Sequence, residues 1–338
     1  MQVPIAQSDA LVSMRMTSLS IMWAATNKRV LRSTDAGRHW TDVTPPYGGH
    51  DWAAFFAVDD AAAWVVQSDF DSSLYTVWRT VDAGASWRSF ASGLLGGSVT
   101  SVMFVDRMHG WITDSLGSAA GSEGVAILRS TDGGATWSVT ASTDDPSTGQ
   151  GSSGIQFGCD KGAAVFGSPS IGLLTTFCAG GPPFIYRTTD GGFTWRGQAL
   201  PNVPSTQYGG GAENATFLSP TDAIVTTEYY ADGPVYGLLV TLDGGATWSA
   251  HRLPGAGSVD FESILSGWQL NDTLAATSDG GSTWHTIGSS LPFNATDMTL
   301  QFLGKGIAVA WAFRQATAYR TDDAGKTWRW VVPSGLGT

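Results

Sequence analysis

The sequence has little positive charge and no long apolar run. Lys and Arg together number 18 against 29 Asp and Glu, which gives a formal net charge of −11 at pH 7. Because no basic cluster interrupts this acidity, the chain would repel a phosphate backbone, and nucleic acid is not an expected partner. No stretch reaches the roughly 18 apolar residues that span a bilayer. We expect no membrane span, and Met1–Ala10 lacks the basic-then-apolar order of a signal peptide.

Charged residues of all kinds are scarce, at 14% of the chain, whereas glycine numbers 43 and tryptophan 15. Such a composition does not favour helices rich in Ala, Glu, Lys and Leu, and is typical of many short strands joined by tight turns. The sequence therefore predicts an all-β fold. Scarce lysine and a glycine-rich acidic surface also resemble exported bacterial proteins, so we expect a secreted, periplasmic or cell-surface location.

One eight-residue pattern occurs seven times. Its aspartates run from Asp35 to Asp323, 288 residues over six intervals, which is a mean period of 48. That period is typical of β-propeller blades, which use roughly 40–50 residues for four strands. The seven octets are Ser33–Trp40, Thr80–Trp87, Ser130–Trp137, Thr188–Trp195, Thr241–Trp248, Thr277–Trp284 and Thr321–Trp328.

Each position of the octet has a mechanical role. The Asp accepts backbone N–H groups within a tight turn, and the Gly two residues later permits a positive φ. The flanking Ser and Thr hydroxyls can bond the same turn, and the final Trp is expected to fill the gap between adjacent blades. The octet is therefore predicted to be the turn between the third and fourth strands, c and d, of each blade.

The octets predict a single seven-bladed β-propeller over residues 1–338. In the third blade, alternation of apolar and polar residues predicts strands Val99–Val105, Gly110–Asp114, Val125–Ser130 and Trp137–Thr140. The ring is expected to close either by packing of the first blade on the last or by a short outer strand at Val3–Ile5. Sheet-packing tryptophans are predicted in strand b at Trp23, Trp64, Trp111, Trp268 and Trp311. The predicted blades cover approximately residues 9–44, 51–92, 98–143, 162–200, 214–254, 257–290 and 296–333.

The octets resemble the Ser/Thr-x-Asp-x-Gly-x-Thr-Trp Asp box of BNR-repeat propellers, over almost the whole chain. That superfamily includes sialidases, xyloglucan-cleaving glycosidases, sortilin-type receptors and photosystem II assembly factor-like propellers. The segment Phe104–Trp111, followed by Leu128–Ser130 and the octet, is most similar to the assembly-factor-like and uncharacterised bacterial members. The resemblance implies that the box aspartates are structural and have no chemical role.

The resemblance to the enzymes of this superfamily is incomplete. The sialidase Arg-Ile-Pro motif is absent from the sequence, and xyloglucan-cleaving relatives use two facing propellers where this chain has one. Because one arginine precedes most boxes at the same repeat position, these residues are interpreted as surface positions of the repeat and not as a substrate clamp. They are Arg32, Arg79, Arg129, Arg187 and Arg320.

Candidate functional residues fall on the long d–a and b–c connections, which share one face of an up-and-down propeller. The long connections are Thr41–Asp51, Thr140–Gly162, Pro201–Asn214 and Glu228–Pro234. The candidate catalytic residues there are Glu213, Glu228, Tyr229 and His50. The candidate ligand-binding residues are Tyr47, Asp51, Glu123, Tyr208, Tyr230 and Arg314, and Asp114 is expected on the same rim.

Rings and carboxylates together suit carbohydrate, because rings stack on the apolar faces of pyranoses while carboxylates accept hydroxyl protons. Glu213 and Glu228 are the best pair for glycoside hydrolysis, which needs two carboxyl groups roughly 5–5.5 Å or 6.5–9.5 Å apart. His50 is the one histidine on this face and is a candidate base for a polysaccharide lyase. The alternative interpretation is that these are solvated loop residues with no chemical role.

The two cysteines are Cys159, before strand a of the fourth blade, and Cys178, at the end of its strand b. This placement brings both to the same face and predicts a disulfide, which favours an oxidising compartment; two unrelated thiols are the alternative. The sequence has no histidine cluster. Asp69 and Asp71 are carboxylates that could hold calcium, but the spacing of a calcium-binding loop is absent. We expect no metal site and no cofactor.

Three functions remain open from the sequence. The first is an exported, monomeric propeller that binds an extracellular ligand, expected to be carbohydrate, on its loop-rich face. The second is a glycoside hydrolase or polysaccharide lyase that uses the same face, and the third is a non-catalytic scaffold that docks a protein. The fold alone does not choose among them.

Overall fold

All regular structure in the described part of the chain is β-strand, which confirms the predicted all-β fold. No helix occurs there, so none is long and apolar enough to cross a membrane. The computed structural model describes residues 10–46, 52–69, 74–92, 97–119, 121–143, 153–180, 184–201, 209–230, 233–287, 291–295 and 297–332.

The described strands form seven consecutive groups of four, each antiparallel and in chain order. Phe177 and Cys178 of the fourth group pair with Gly211 and Gly210 of the fifth, which joins these two groups into one eight-stranded sheet. The first three groups are β1 Leu11–Met16, β2 Met22–Thr26, β3 Val30–Ser33, β4 Thr41–Asp42; β5 Trp52–Ala57, β6 Ala63–Asp69, β7 Leu74–Thr80, β8 Arg88–Ser92; β9 Ser98–Phe104, β10 Gly110–Ala119, β11 Ser122–Ser130 and β12 Ser138–Ser142. The remaining groups are β13 Asp160–Phe166, β14 Gly172–Cys178, β15 Phe184–Thr188, β16 Arg196–Ala199; β17 Gly210–Phe217, β18 Ala223–Tyr230, β19 Pro234–Thr241, β20 Ser249–Arg252; β21 Ser258–Phe261, β22 Gly267–Leu270, β23 Leu274–Thr277, β24 His285–Ile287; β25 Met298–Gly304, β26 Ile307–Ala312, β27 Ala318–Thr321 and β28 Arg329–Trp330.

The groups follow the predicted blades, with longer strands at three places. The β10–β11 hairpin continues past Asp114 to Ala119, and the fourth and fifth groups begin at Asp160 and Gly210 instead of 162 and 214. Bulges in β10, β13 and β17 absorb the extra residues, so pairing resumes beyond positions where the alternation pattern breaks. Closure of all seven groups into one domain stays a prediction.

The chain forms two compact units. Unit 1 comprises Met1–Gln67, Trp78–Ser89 and Ala256–Thr338, and unit 2 comprises Ser68–Val77 and Phe90–Gly255. Within unit 1 the first and last groups are in direct contact: Arg314 N–H donates to the Leu11 carbonyl at 2.7 Å and the Trp40 indole N–H to the Val331 carbonyl at 3.1 Å. Side chains of β1 and β26 also share one apolar cluster. The other predicted closure, through Val3–Ile5, lies outside the described residues.

The octet turns have the hydrogen bonds that their sequence predicts. In the fourth octet, the Thr188 hydroxyl donates to Asp190 Oδ1 at 2.8 Å and accepts the Gly192 N–H at 3.0 Å, while Thr194 Oγ1 donates to Asp190 Oδ2 at 2.6 Å. His39 takes the place of this last hydroxyl in the first octet. In the fifth octet the Thr247 hydroxyl, with the backbone N–H groups of the turn, lowers the pKa of Asp243 to about 2. The carboxylates of Asp190 and Asp35 are thus hydrogen-bonded within their own turns.

The tryptophans of strand b are more deeply buried than those of the octets. Trp23, Trp64 and Trp111 are at most 1% exposed, whereas most octet tryptophans are only half-buried. In the octets of Trp137 and Trp284, the indole N–H bonds a glycine carbonyl of its own turn. The predicted role of the octet tryptophans between sheets therefore holds in part, as for Trp40 described above.

The arginines before the octets connect neighbouring groups, which corrects their interpretation as surface residues. Arg320 is 2% exposed and donates to the Leu19 carbonyl, and Arg187 Nε donates to the Gly244 carbonyl at 2.7 Å. Arg32 and Arg129 also donate to carbonyls of the next group while lying over the strand-b tryptophan of their own. The guanidinium groups of Arg32, Arg129, Arg187 and Arg320 therefore bridge neighbouring sheets.

Candidate functional site

Glu213 and Glu228 lie within paired strands and not in loops, which corrects their predicted placement. Gly211 of β17 pairs with Glu228 of β18, and the register then shifts between Ala212 and Ala215. Glu213 and Asn214 are the residues of this bulge. The Glu213 carbonyl accepts the Thr175 hydroxyl at 3.3 Å, which fixes the bulge against β14.

The bulge brings the Glu213 carboxyl group close to that of Glu228. Partial burial raises the pKa of Glu213 to about 7, and the neighbouring Glu228 carboxyl group adds to the rise. A proton on Glu213 relieves repulsion between the two groups, because ionising both of them close together is costly. Near neutral pH the protonated form of Glu213 can donate a hydrogen bond.

Two tyrosines complete the arrangement. Tyr230 lies two residues after Glu228 on the same side of β18, and the neighbouring Glu228 carboxyl group raises the pKa of the Tyr230 hydroxyl. Tyr236 of β19 lies directly across from Glu228, and burial followed by the charges of Glu228 and Glu213 raises its pKa. Glu213, Glu228, Tyr230 and Tyr236 are called the Glu–Tyr site below. Tyr229 pairs with Gly210 and lies on the opposite side of β18 from Glu228.

Tyr236 was absent from the candidates that the sequence provides. The register of the β18–β19 hairpin identifies Tyr236 as a site residue. Because Tyr230 pairs with Pro234, Glu228 must pair with Tyr236. The sequence does not show where the turn lies, and that turn decides which residue faces Glu228.

A disulfide adjoins the Glu–Tyr site. Cys159 and Cys178 are bonded, with Sγ atoms 2.04 Å apart. Cys178 of β14 pairs with Gly210 of β17, and Gly210 pairs in turn with Tyr229 of β18. One strand, β17, therefore lies between the strand of Cys178 and the strand that carries Glu228. The disulfide anchors the start of β17, where the site begins.

Glu123 belongs to a separate cluster in unit 2. Its carboxylate accepts the Lys161 backbone N–H at 2.8 Å and the Ser115 hydroxyl. Lys161 Nζ donates to the carbonyls of Glu123, Cys159 and Gly158, and burial lowers the pKa of Lys161 to about 8. These bonds hold the β10–β11 hairpin against β13, and ligand binding by Glu123 stays a prediction.

The remaining candidates do not join the Glu–Tyr site in the described structure. Arg314 belongs to unit 1, in a turn after β26 where its backbone bonds Leu11. Asp71 and the candidates of the long connections lie outside the described residues: Tyr47, His50, Asp51 and Tyr208. Within the described ranges, no three His, Cys, Asp or Glu side chains are placed to hold a metal ion.

Asp114 is fully buried, which corrects its predicted place on the rim. Its Oδ1 accepts the Tyr75 hydroxyl at 3.2 Å, and Oδ2 has no hydrogen-bond partner among the described residues. Burial raises the pKa of Asp114 to about 6, although the Tyr75 bond opposes this shift. Ionised Asp114 therefore destabilises the fold at neutral pH.

Asp114→Asn is expected to make the protein more stable at pH 8 by about 2 kcal/mol. The pKa of Asp114 in the folded protein, about 6, lies above its value of about 3.9 in the unfolded chain. The protonated carboxyl group therefore stabilises the fold fully below about pH 3.9, and this stabilisation is lost as the pH rises through about 6. Urea unfolding at pH 4, 5, 6 and 8 measures this, with Asp222→Asn as a control. Equal pH dependence in wild type and Asp114→Asn would show that Asp114 titrates normally.

Solved structures similar to this chain are β-propellers. YCF48 bound to D1 peptide matches with a TM-score of 0.59 and 15% identity, over 92% of each chain. YCF48 from Cyanidioschyzon merolae matches with 0.59 and 18%, over 92% of this chain and 94% of that one. The chain has a β-propeller fold. An ancestral GH74 enzyme matches with 0.62 and 14%, over 97% of this propeller but only 47% of the enzyme. No protein-family model and no curated protein matches the sequence.

Proposed function

We propose that this propeller is exported and binds carbohydrate at the Glu–Tyr site without cleaving it. The observation that carries the proposal is the grouping of two carboxyl groups and two tyrosines at one place. Glu213 lies in the bulge of β17, Glu228 and Tyr230 lie on the same side of β18, and Tyr236 lies directly across from Glu228. The site is open to solvent, since Tyr230 is 38% exposed.

The chemistry of the four side chains matches that of a sugar. A sugar hydroxyl both donates and accepts, and the site offers the Glu213 carboxyl as donor and Glu228 as acceptor. The tyrosine rings provide apolar faces on which a pyranose stacks, and their hydroxyls remain hydrogen-bonding groups. A neutral ligand with many hydroxyls therefore satisfies the site without needing a counter-charge.

Binding requires only that the site hold a sugar, whereas hydrolysis also requires two carboxyl groups roughly 5–5.5 Å or 6.5–9.5 Å apart with the scissile bond between them. The GH74 likeness concerns the fold, and this chain spans about half the length of that enzyme. Hydrolysis is the alternative in which Glu213 and Glu228 flank the scissile bond.

Export is part of the proposal because of the disulfide. Disulfides persist in secreted, periplasmic and cell-surface proteins and are rare in a reducing cytosol. The bond between Cys159 and Cys178 adjoins the Glu–Tyr site, so the site itself would depend on an oxidising compartment.

Glu228→Gln is expected to weaken carbohydrate binding about tenfold or more, because the variant loses a charged hydrogen-bond acceptor. The measurement is a polysaccharide panel scored for affinity and for released reducing ends and unsaturated products. Asp222→Asn, in the turn before β18, is the matched control and should bind as wild type does. Unchanged binding by Glu228→Gln contradicts the site, and products that Glu228→Gln abolishes would establish the hydrolase or lyase instead.

A second candidate function is docking of a peptide. One observation favours it: the structural neighbour YCF48 was solved with a D1 peptide and shares the fold over 92% of both chains. Unit 2 also has exposed apolar side chains, Leu116 and Phe157, which both lie close to Gly124. A peptide array probed with the same variants separates the functions, because docking there should survive Glu228→Gln and fail with Phe157→Ser.

A further inference from the structure

A second group of functional side chains lies in unit 1, on the first strands of three groups. They are Arg15 of β1, Phe56 of β5 and Asp260 of β21, and none of them belongs to the Glu–Tyr site. First strands have a free edge, so their side chains commonly bond the edge of the next group. Asp260 and Gln301 do this, whereas Arg15 does not.

Arg15 stacks on an aromatic ring and leaves its donors unused. Its guanidinium carbon lies 4.5 Å from the Phe56 ring centroid, and burial lowers the pKa of Arg15. Within the described ranges its guanidinium makes no hydrogen bond and no ion pair. A guanidinium has five N–H donors, and those of Arg15, whose side chain is partly exposed, remain available to a ligand.

Two other stacked arginines, Arg32 and Arg129, differ from Arg15 in this respect. Arg32 lies over Trp23, and its Nη2 donates to the Asp60 carbonyl at 2.9 Å. Arg129 lies over Trp111 and donates to the Pro169 carbonyl at 3.1 Å. Stacking is thus shared, but in those cases the protein also supplies an acceptor.

The polar groups near Arg15 are already committed elsewhere. Asp260 Oδ2 accepts the Phe302 N–H at 2.7 Å, and burial raises the pKa of Asp260 to about 6. Gln301 accepts the Met16 N–H at 2.7 Å and donates to the Met16 carbonyl at 2.9 Å. Asp260 therefore attracts Arg15 only through space. Among the described residues, neither Asp260 nor Gln301 accepts a hydrogen bond from the guanidinium.

We propose that Arg15 and Phe56 form a binding site for a small monocarboxylate. The two oxygens of a carboxylate match two parallel N–H groups of a guanidinium, and the partly exposed Phe56 side chain offers contact to an apolar or aromatic body. A dianion such as phosphate fits less well, because Asp260 is close and the chain has a net charge of −11. The site is independent of the Glu–Tyr site and of its ligand.

The test is a titration of the full chain with benzoate, followed by the side-chain Nε–Hε resonances of ¹⁵N-arginine. The Arg15 resonance is expected to shift and saturate, and Arg15→Met is expected to weaken benzoate binding about tenfold or more. Arg32→Met is the matched control, since it removes a stacked arginine whose donors are already occupied, and it should bind benzoate as wild type does. Inorganic phosphate at equal concentration should cause a smaller shift.

Three results would overturn the site. They are an Arg15 resonance that does not move up to about 100 mM benzoate, equal binding by Arg15→Met and wild type, and a stronger response to phosphate than to benzoate. If Arg15→Met does not fold, Arg15→Lys replaces it, because lysine keeps the charge but loses the paired donors and should bind more weakly. The resonance shift in wild type decides the question independently of any variant.

Discussion

Trp111→Ala is expected to lower the free energy of unfolding by about 3–5 kcal/mol. Trp111 stacks on Phe166 with ring centroids 3.7 Å apart and planes 6° from parallel, and its indole N–H donates to the Gly191 carbonyl at 2.9 Å. All three residues lie in unit 2, where Trp111 contributes to the apolar cluster between the third and fourth groups. Alanine would leave a cavity and an unpaired carbonyl.

Trp137→Ala in the octet of the same group is the control for this prediction. Trp137 is half-buried, meets Phe104 edge-on and bonds only the Gly134 carbonyl of its own turn. A loss of about 1–2 kcal/mol is expected, and urea unfolding at one pH measures both variants. Equal losses would mean that octet tryptophans stabilise the core as much as strand-b tryptophans do, as the sequence alone suggests.

Removing the disulfide is expected to cost about 3 kcal/mol, the loop-entropy value for a bridge between residues 19 apart. Because Cys178 pairs with Gly210 at the start of β17, its loss is also expected to weaken the β14–β17 pairing and hence ligand binding at Glu213. The measurement is unfolding of wild type with and without reductant beside the double variant Cys159→Ala, Cys178→Ala.

The double variant supplies the control, because its stability should not respond to reductant. Wild type in reductant and the double variant should unfold at similar urea concentrations. A reductant effect below about 1 kcal/mol would show that the surrounding strands hold β17 without the bond, since native disulfides normally contribute more.

Local chemistry explains which parts of the fold were predictable. The octet specifies its own turn: Asp190, Thr188 and Gly192 bond one another within five residues, so no distant contact is needed to recognise it. A period of 48 residues then places the four-stranded groups. The burial of strand-b residues such as Trp111 is also predictable from the pattern of apolar residues, because each sheet of a propeller packs against another sheet on both of its faces.

Contacts between distant residues explain what was missed. The bulge at Glu213 depends on β14 and β18, and the partnership of Glu228 with Tyr236 depends on a turn whose position the sequence does not fix. Arg320 was interpreted as a surface residue because it shares one repeat position with four other arginines, but Leu19 and Asp322 supply its acceptors. Glu213 and Glu228 were predictable as a pair from their places beside the fifth group, whereas the bulge that brings them together was not.

The most direct test of the Glu–Tyr site is a ¹³C-glutamate NMR titration, because the chain has only four glutamates: Glu123, Glu213, Glu228 and Glu262. The Glu213 carboxyl is expected to titrate near pH 7, and saccharide binding should weaken as pH rises through that value, because Glu213 loses its donor proton. A bound saccharide should shift Glu213 and Glu228 and leave Glu262 unchanged. Titration of Glu213 at the ordinary value of about 4.3, with no saccharide-dependent shift at Glu213 or Glu228, would contradict the account.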